Sequence, residues 1–138
     1  MTPPLLRAAV PAASAGGALG SLARWRLTEW LPDTSGFPTT VFWINVVGAG
    51  LLASLPLLGV VRRSPWLGVF LGTGVLGGFT TMSAASAETF LLLEDGDTLT
   101  AAGYAGGTLA GALLAAWLVS QWTTPAQRVA MERDGADE

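Results

Sequence analysis

Gly72-Thr73-Gly74-Val75-Leu76-Gly77-Gly78-Phe79-Thr80-Thr81-Met82-Ser83 is the stretch on which the fold turns. It lies in the middle of Ser64 to Leu93, an apolar run whose single charge is Glu88. A helix crosses a bilayer with about 20 mostly apolar residues, so the run is long enough to span. Each of the paired glycines at its centre costs about 1 kcal/mol relative to alanine inside a helix. The pattern predicts a break near Gly77 to Thr80; the alternative is a continuous helix whose glycines serve packing. A break frees carbonyls and amides that lipid cannot satisfy, and such backbone survives only when buried in protein or lining a wet cavity. Freed carbonyls there form a natural cage for a small hard cation.

The flanking sequence supplies further spans. Val41 to Val61 and Thr98 to Trp122 carry no charge. Leu5 to about Leu27 is weaker: it is rich in Ala and Gly, contains Pro11 and carries Arg7. A cleaved signal peptide is its other reading, but Ala15-Gly16-Gly17-Ala18-Leu19-Gly20 resembles a packing surface more than a signal core. Trp25, Trp30, Trp43, Trp66 and Trp122 fall near the proposed ends, where indole sits at headgroup level. Short turns join the segments at Leu31 to Gly36, Arg62 to Pro65 and Glu94 to Asp97. The expected fold class is an all-α membrane protein: four transmembrane helices in residues 1–124, the third broken near its middle, then a polar acidic tail over 125–138.

Composition agrees. The chain has 138 residues, 51% of them apolar and 12% charged, against about 25% charged in a soluble domain. Cysteine and histidine are absent, which removes thiol chemistry and the commonest general base and metal ligand. The net charge of −3 argues against a nucleic-acid partner, which calls for a basic face.

Small residues recur four apart: Gly16 with Gly20, Gly68 with Gly72, Gly74 with Gly78, and the ladder Gly103, Gly107, Gly111. Between membrane helices, close backbone approach supplies the association that the hydrophobic effect cannot, so tight bundling and oligomerisation are expected. On the helix after the break, Thr81, Ala84, Ala85 and Glu88 share one stripe, and Met82, Ala85, Ser86 and Thr89 the next. Glu88 is a functional candidate because it lies in a span, or else an interfacial carboxylate near the helix end. Asn45 is a lone amide in an apolar run, either pore-lining or interhelical glue. Tyr104, Thr108 and Gly111 share a face. Arg24 either snorkels or faces an anion vestibule.

Taken together, Gly16-Gly17-Ala18-Leu19-Gly20-Ser21-Leu22-Ala23-Arg24-Trp25, Asn45-Val46-Val47-Gly48, the Gly72 to Thr81 run with Ser83, Ser86 and Glu88, and Tyr104 resemble the CrcB/Fluc fluoride channels. The resemblance covers about residues 12–120. It implies an antiparallel dimer of four-helix subunits with two fluoride pores in the plasma membrane. It implies that Gly77 and Thr80 carbonyls of both subunits cage a structural sodium ion, that Asn45 hydrogen-bonds fluoride, and that Arg24 draws anions into a vestibule. It places Ser83, Glu88, Tyr104 and Thr108 along or near a polar track, with positions 82 and 85 in the pore.

The family pattern reads Phe-Thr-Thr-Phe-Ser-Thr-Phe-Ser, whereas this chain reads Phe79-Thr80-Thr81-Met82-Ser83-Ala84-Ala85-Ser86. Both pore phenylalanines are replaced, by Met82 and Ala85. An aromatic edge can face an anion; neither replacement offers one. Some family members pair two different subunits, one with a degenerate pore, and this chain resembles that partner. Arg7, Arg62, Arg63, Arg128 and Arg133 fall on one side of the proposed topology, and Arg24 and Arg26 on the other. That imbalance favours one orientation, with cytoplasmic termini. The expected partner is therefore a phenylalanine-bearing homologous subunit of opposite orientation. Two other classes are weighed. A small proton-coupled multidrug exporter needs a carboxylate early in its first helix, and none precedes Glu29. A non-conducting scaffold has no need of Asn45, Tyr104 or a broken third helix.

Overall fold

The computed structural model describes residues 4 to 122, so the acidic tail proposed over 125–138 lies outside the described residues. Every described element is helical. Helix α1 covers Pro4–Trp30, 27 residues with Pro11 inside it. Three further segments are long and apolar enough to cross a membrane: Thr39–Leu57, Pro65–Glu94 and Thr98–Ser120. α1 is longer than two of these but does not join them on apolarity.

The second segment is shorter than the charge-free run suggests. Helix α2 (Thr39–Ser54) tightens into a 3₁₀ turn at Leu55–Leu57, and Leu58 is extended with ψ 109°. Pro56 sits in that turn and brings no N–H. The residues up to Arg62 form a separate single turn, α3 (Gly59–Arg62), instead of completing the span.

The third segment is composite. It opens with α4 (Pro65–Gly68), continues as a π-helix over Val69–Leu76, and narrows to α5 (Gly77–Phe79). Thr80 and Thr81 are extended, with φ/ψ of −77°/153° and −152°/114°. The chain then resumes as α6 (Met82–Glu94). The break is real but does not fall on the glycine pair. Gly77 has φ −65° and ψ −34° and is helical. The two threonines form the joint: Thr80 ends α5, and the Thr81 hydroxyl accepts the Ala84 amide at 3.1 Å as the N-cap of α6.

The glycines instead permit contact with α1. A side chain on Gly78 would collide with the Gly17 carbonyl, and one on Gly20 with the Val75 carbonyl. A Cβ on Gly16 would come within 2.9 Å of Gly74 Cα, and one on Gly74 within the same distance of Gly16 Cα. Gly16, Gly20, Gly74 and Gly78 thus all lie in one seam where backbone meets backbone, whereas Gly68 and Gly72 meet only side chains. The ladder on α7 (Thr98–Ser120) is used in part. Gly111 lies under Val46 and Gly107 near Phe42, while Gly103 meets nothing.

α6 ends in a Schellman turn. Gly96, at φ 79°, donates to Leu93 O at 3.1 Å, and Asp97 N donates to Leu92 O at 2.9 Å. Asp97 then caps α7, accepting from Thr100 N at 3.1 Å. Two helices so tightly joined run antiparallel. The first half of the broken segment lies along α1, α2 lies along α7, and α6 returns over α7.

The interior is small. Its buried cluster is Val41, Ala85 and Tyr104, flanked by Phe37, Phe42, Ala84 and Leu92. All six tryptophans are at least half exposed, and Leu99 is 85% exposed. Surfaces of this kind belong against lipid or another chain.

Candidate functional site

A groove of about 330 Å³ opens between α2, α6 and α7, directly over the break. Its polar lining is Asn45, Thr80, Thr81, Ser86, Thr89 and Thr108. Met82 and Ala85 complete its wall from the broken helix, Met82 being 78% exposed and Ala85 7%.

Asn45 holds the break. Its Oδ1 accepts the Thr81 N–H at 2.8 Å, and its Nδ2 donates to the Thr81 carbonyl at 3.0 Å. This two-point contact fixes the amide's orientation, since reversing it would set donor against donor. A primary amide carries two N–H donors. One is spent on Thr81, and the second remains for the groove. Of the two readings of Asn45, interhelical glue is therefore realised, and the donor that pore lining requires is left over.

The clamp decides which carbonyls at the break are bare. In an α-helix the Thr81 amide would close onto Gly77 O and the Ala84 amide onto Thr80 O. Asn45 and the Thr81 hydroxyl take those two amides. Gly77 and Thr80 thus lose their helical partners. Thr80 is seated by its own hydroxyl, which donates to Leu76 O at 2.9 Å, and its methyl lies where a side chain on Gly48 would stand. Gly48 is a packing glycine that the spacing pattern missed, because it has no partner four residues away.

The groove hydroxyls differ in what they can offer. Thr89 donates to Ala85 O at 2.8 Å, and Thr108 to Tyr104 O at 2.7 Å, so both direct lone pairs outward. Ser83 is outside the groove lining, with its hydroxyl 3.1 Å from that of Thr81. Tyr104 is wholly buried below the groove, its ring edge-to-face with Phe37 at 5.4 Å. Its hydroxyl has no hydrogen-bond partner among the described residues. Glu88 is half-buried on α6 outside the groove lining. Arg24 approaches the other side of the break, where its Nε lies 3.4 Å from Gly78 O. Asn45, Thr80, Met82, Ala85 and Thr108 thus meet in one groove, with Tyr104 beneath it and Arg24 across the broken helix. Ser86 and Thr89 join them; their stripe with Met82 and Ala85 was the signal.

Residues 11–120 match the family described as CrcB-like protein, Camphor Resistance (CrcB). The chain is 44% identical over 106 residues to the fluoride-specific ion channel FluC of Gloeobacter violaceus, covering 74% of this chain and 85% of that one. It is 38% identical over 135 residues to the fluoride-specific ion channel FluC 2 of Nocardia farcinica, covering 91% and 94%. The FluC of Thermus thermophilus is 44% identical over 108 residues, covering 75% and 84%.

Proposed function

The chain belongs to the CrcB family, and on that premise we propose that it is a fluoride-specific channel subunit letting cytoplasmic fluoride leave passively across the plasma membrane. One observation carries this reading. The break in the third segment is held open by Asn45, which keeps one N–H donor for a groove lined by hydroxyls. Fluoride is small and strongly hydrated, so it exchanges water only for dense hydrogen-bond donors. Asn45, Tyr104 and the rotatable hydroxyl of Ser83 supply them, Thr108 joins when its hydroxyl turns away from Tyr104 O, and Arg24 raises the local anion concentration at the entrance. Glu88 lies near the track rather than on it. The channel relatives perform no bond chemistry, and no residue here is assigned a catalytic role.

The finer architecture is part of the proposal. α1 joins the three apolar segments as a fourth span, the termini are cytoplasmic, and two subunits pair antiparallel. Shallow burial of the spans within one chain, 11 to 17% of each apolar window, supports a second subunit. The missing rings at Met82 and Ala85 and the one-sided arginines make that subunit a phenylalanine-bearing homologue. Bare carbonyls at Gly77 and Thr80 fit a structural sodium ion, because a hard cation takes neutral oxygen ligands. The ion would neutralise the carbonyl ends at the break and hold the subunits together there.

Reconstitution in liposomes with a fluoride electrode tests the reading. The chain with its phenylalanine-bearing partner passes fluoride and excludes chloride; the purified chain alone passes little. Rapid fluoride efflux from the chain alone would remove the heterodimer and leave the channel. Absence of efflux from the paired sample would remove the channel. Equal dimer stability in sodium and in a large organic cation would remove the sodium site.

A further inference from the structure

The last four carbonyls of a helix have no intrahelical amide to accept from. At the end of α5 one of them, Gly78 O, is met by two donors from α1. The Ser21 hydroxyl lies 3.3 Å away and Arg24 Nε 3.4 Å away. Both contacts are long, so the carbonyl is shared by two modest donors instead of being held by one strong one. Gly17, Ser21 and Arg24 are spaced four and three apart and so share one face of α1. Gly78 makes the contact possible: the Gly17 carbonyl occupies the place of its side chain, and this closeness brings the short serine arm within reach. Arg24 adds a positive charge where the macrodipole of the helical run ends negative. Gly77, one residue earlier, is exposed in the single chain, whereas Gly78 is half-buried.

We propose that Ser21 and Arg24 are positioning residues that tie the Gly78 carbonyl to α1 and so fix the rotation of α5. This sets which carbonyls at the break stay free. The proposal deepens the channel reading and rests on it only for the consequence to flux. It gives Arg24 a role through its Nε donor, separate from its charge at the entrance.

The test is hydrogen exchange by mass spectrometry on the full chain, with its partner subunit, in lipid nanodiscs. Fluoride efflux is measured on the same preparations. Ser21→Ala speeds exchange about fivefold at the amides of Thr80, Thr81 and Ala84, the effect of losing one ordinary hydrogen bond. Ser21→Thr, which keeps the hydroxyl, restores the wild-type rate. Arg24→Gln speeds the same amides, and peptides from α7 exchange as before in every variant. Unchanged exchange at the break in both Ser21→Ala and Arg24→Gln would overturn the proposal. So would acceleration spread equally into α7, which marks general loosening. The local pattern without fluoride efflux in any preparation upholds the clamp and removes the channel reading. Fluoride efflux with an unchanged pattern does the reverse.

Discussion

Replacing Asn45 by leucine isolates the clamp on the break from the volume that fills it. The side chains are similar in size, so the substitution opens little cavity. It removes both hydrogen bonds to Thr81, at 2.8 and 3.0 Å, and leaves an amide and a carbonyl unpaired at membrane depth. Each unsatisfied group costs about 1–3 kcal/mol, or about 2–6 kcal/mol for the pair. Water admitted by the groove relieves part of this, so the expected loss is about 2–3 kcal/mol, at the low end. Asn45→Asp should cost at least as much, since it sets a carboxylate oxygen against the Thr81 carbonyl. Equilibrium unfolding in mixed detergent micelles reads the loss, and fluoride efflux by the paired channel should fall with it. An Asn45→Leu protein within about 0.5 kcal/mol of wild type would show that Thr81 does not depend on Asn45, and the account of the break would fail.

Gly20→Ala should disrupt the contact between α1 and the π segment, because its Cβ meets the Val75 carbonyl and lies 2.8 Å from Phe79 N. Gly17→Ala, whose Cβ meets nothing within 4 Å, is the matched control, and comparing the two in the unfolding assay checks the glycine packing. Tyr104→Phe removes a buried hydroxyl with no partner among the described residues. Stability should hold or rise slightly while fluoride efflux drops, and unchanged efflux would take Tyr104 off the ion track. Asp97, capping α7 at its exposed end, has its carboxyl held below 3.8 by hydrogen bonds from the Thr100 side chain and backbone. Its folded form favours the charged state, so its stabilisation is present above the unfolded pKa and lost as pH falls through the folded one. The gap in unfolding midpoint between wild type and Asp97→Ala should therefore narrow from about pH 5 to about pH 3.

The spans were legible in the sequence because exclusion of charge from lipid leaves long unbroken traces, as from Thr98 to Trp122. Helix pairing was legible where glycines on two segments face each other, as Gly16 faces Gly74, and Gly17 faces Gly78. The position of the break was less so. A glycine's helical cost of about 1 kcal/mol is easily outweighed by packing, so Gly77 and Gly78 stay helical. Thr81, a natural N-cap, was the better marker. Pro56 lies inside an apolar run, where hydropathy hides the missing N–H. The π-helix over Val69–Leu76, which lies along α1, has no local signature. Asn45 could be narrowed only by its partner, and the Thr81 backbone lies 36 positions away.

The helices meet at two seams held by contacts of different kinds, and the seams differ in how they can be mended. Where α1 meets Gly74 and Gly78, main chain touches main chain. No rotamer can turn aside there and no neighbour can shrink to make room. Damage at that seam cannot be corrected from the other side, because the opposing residues are already the smallest there are. Between α2 and α7 the touching groups are Phe42 and Val46 over Gly107 and Gly111, and side chains can trade size across the seam. A library of random variants selected for fluoride resistance should therefore recover compensated pairs from the second seam and none from the first.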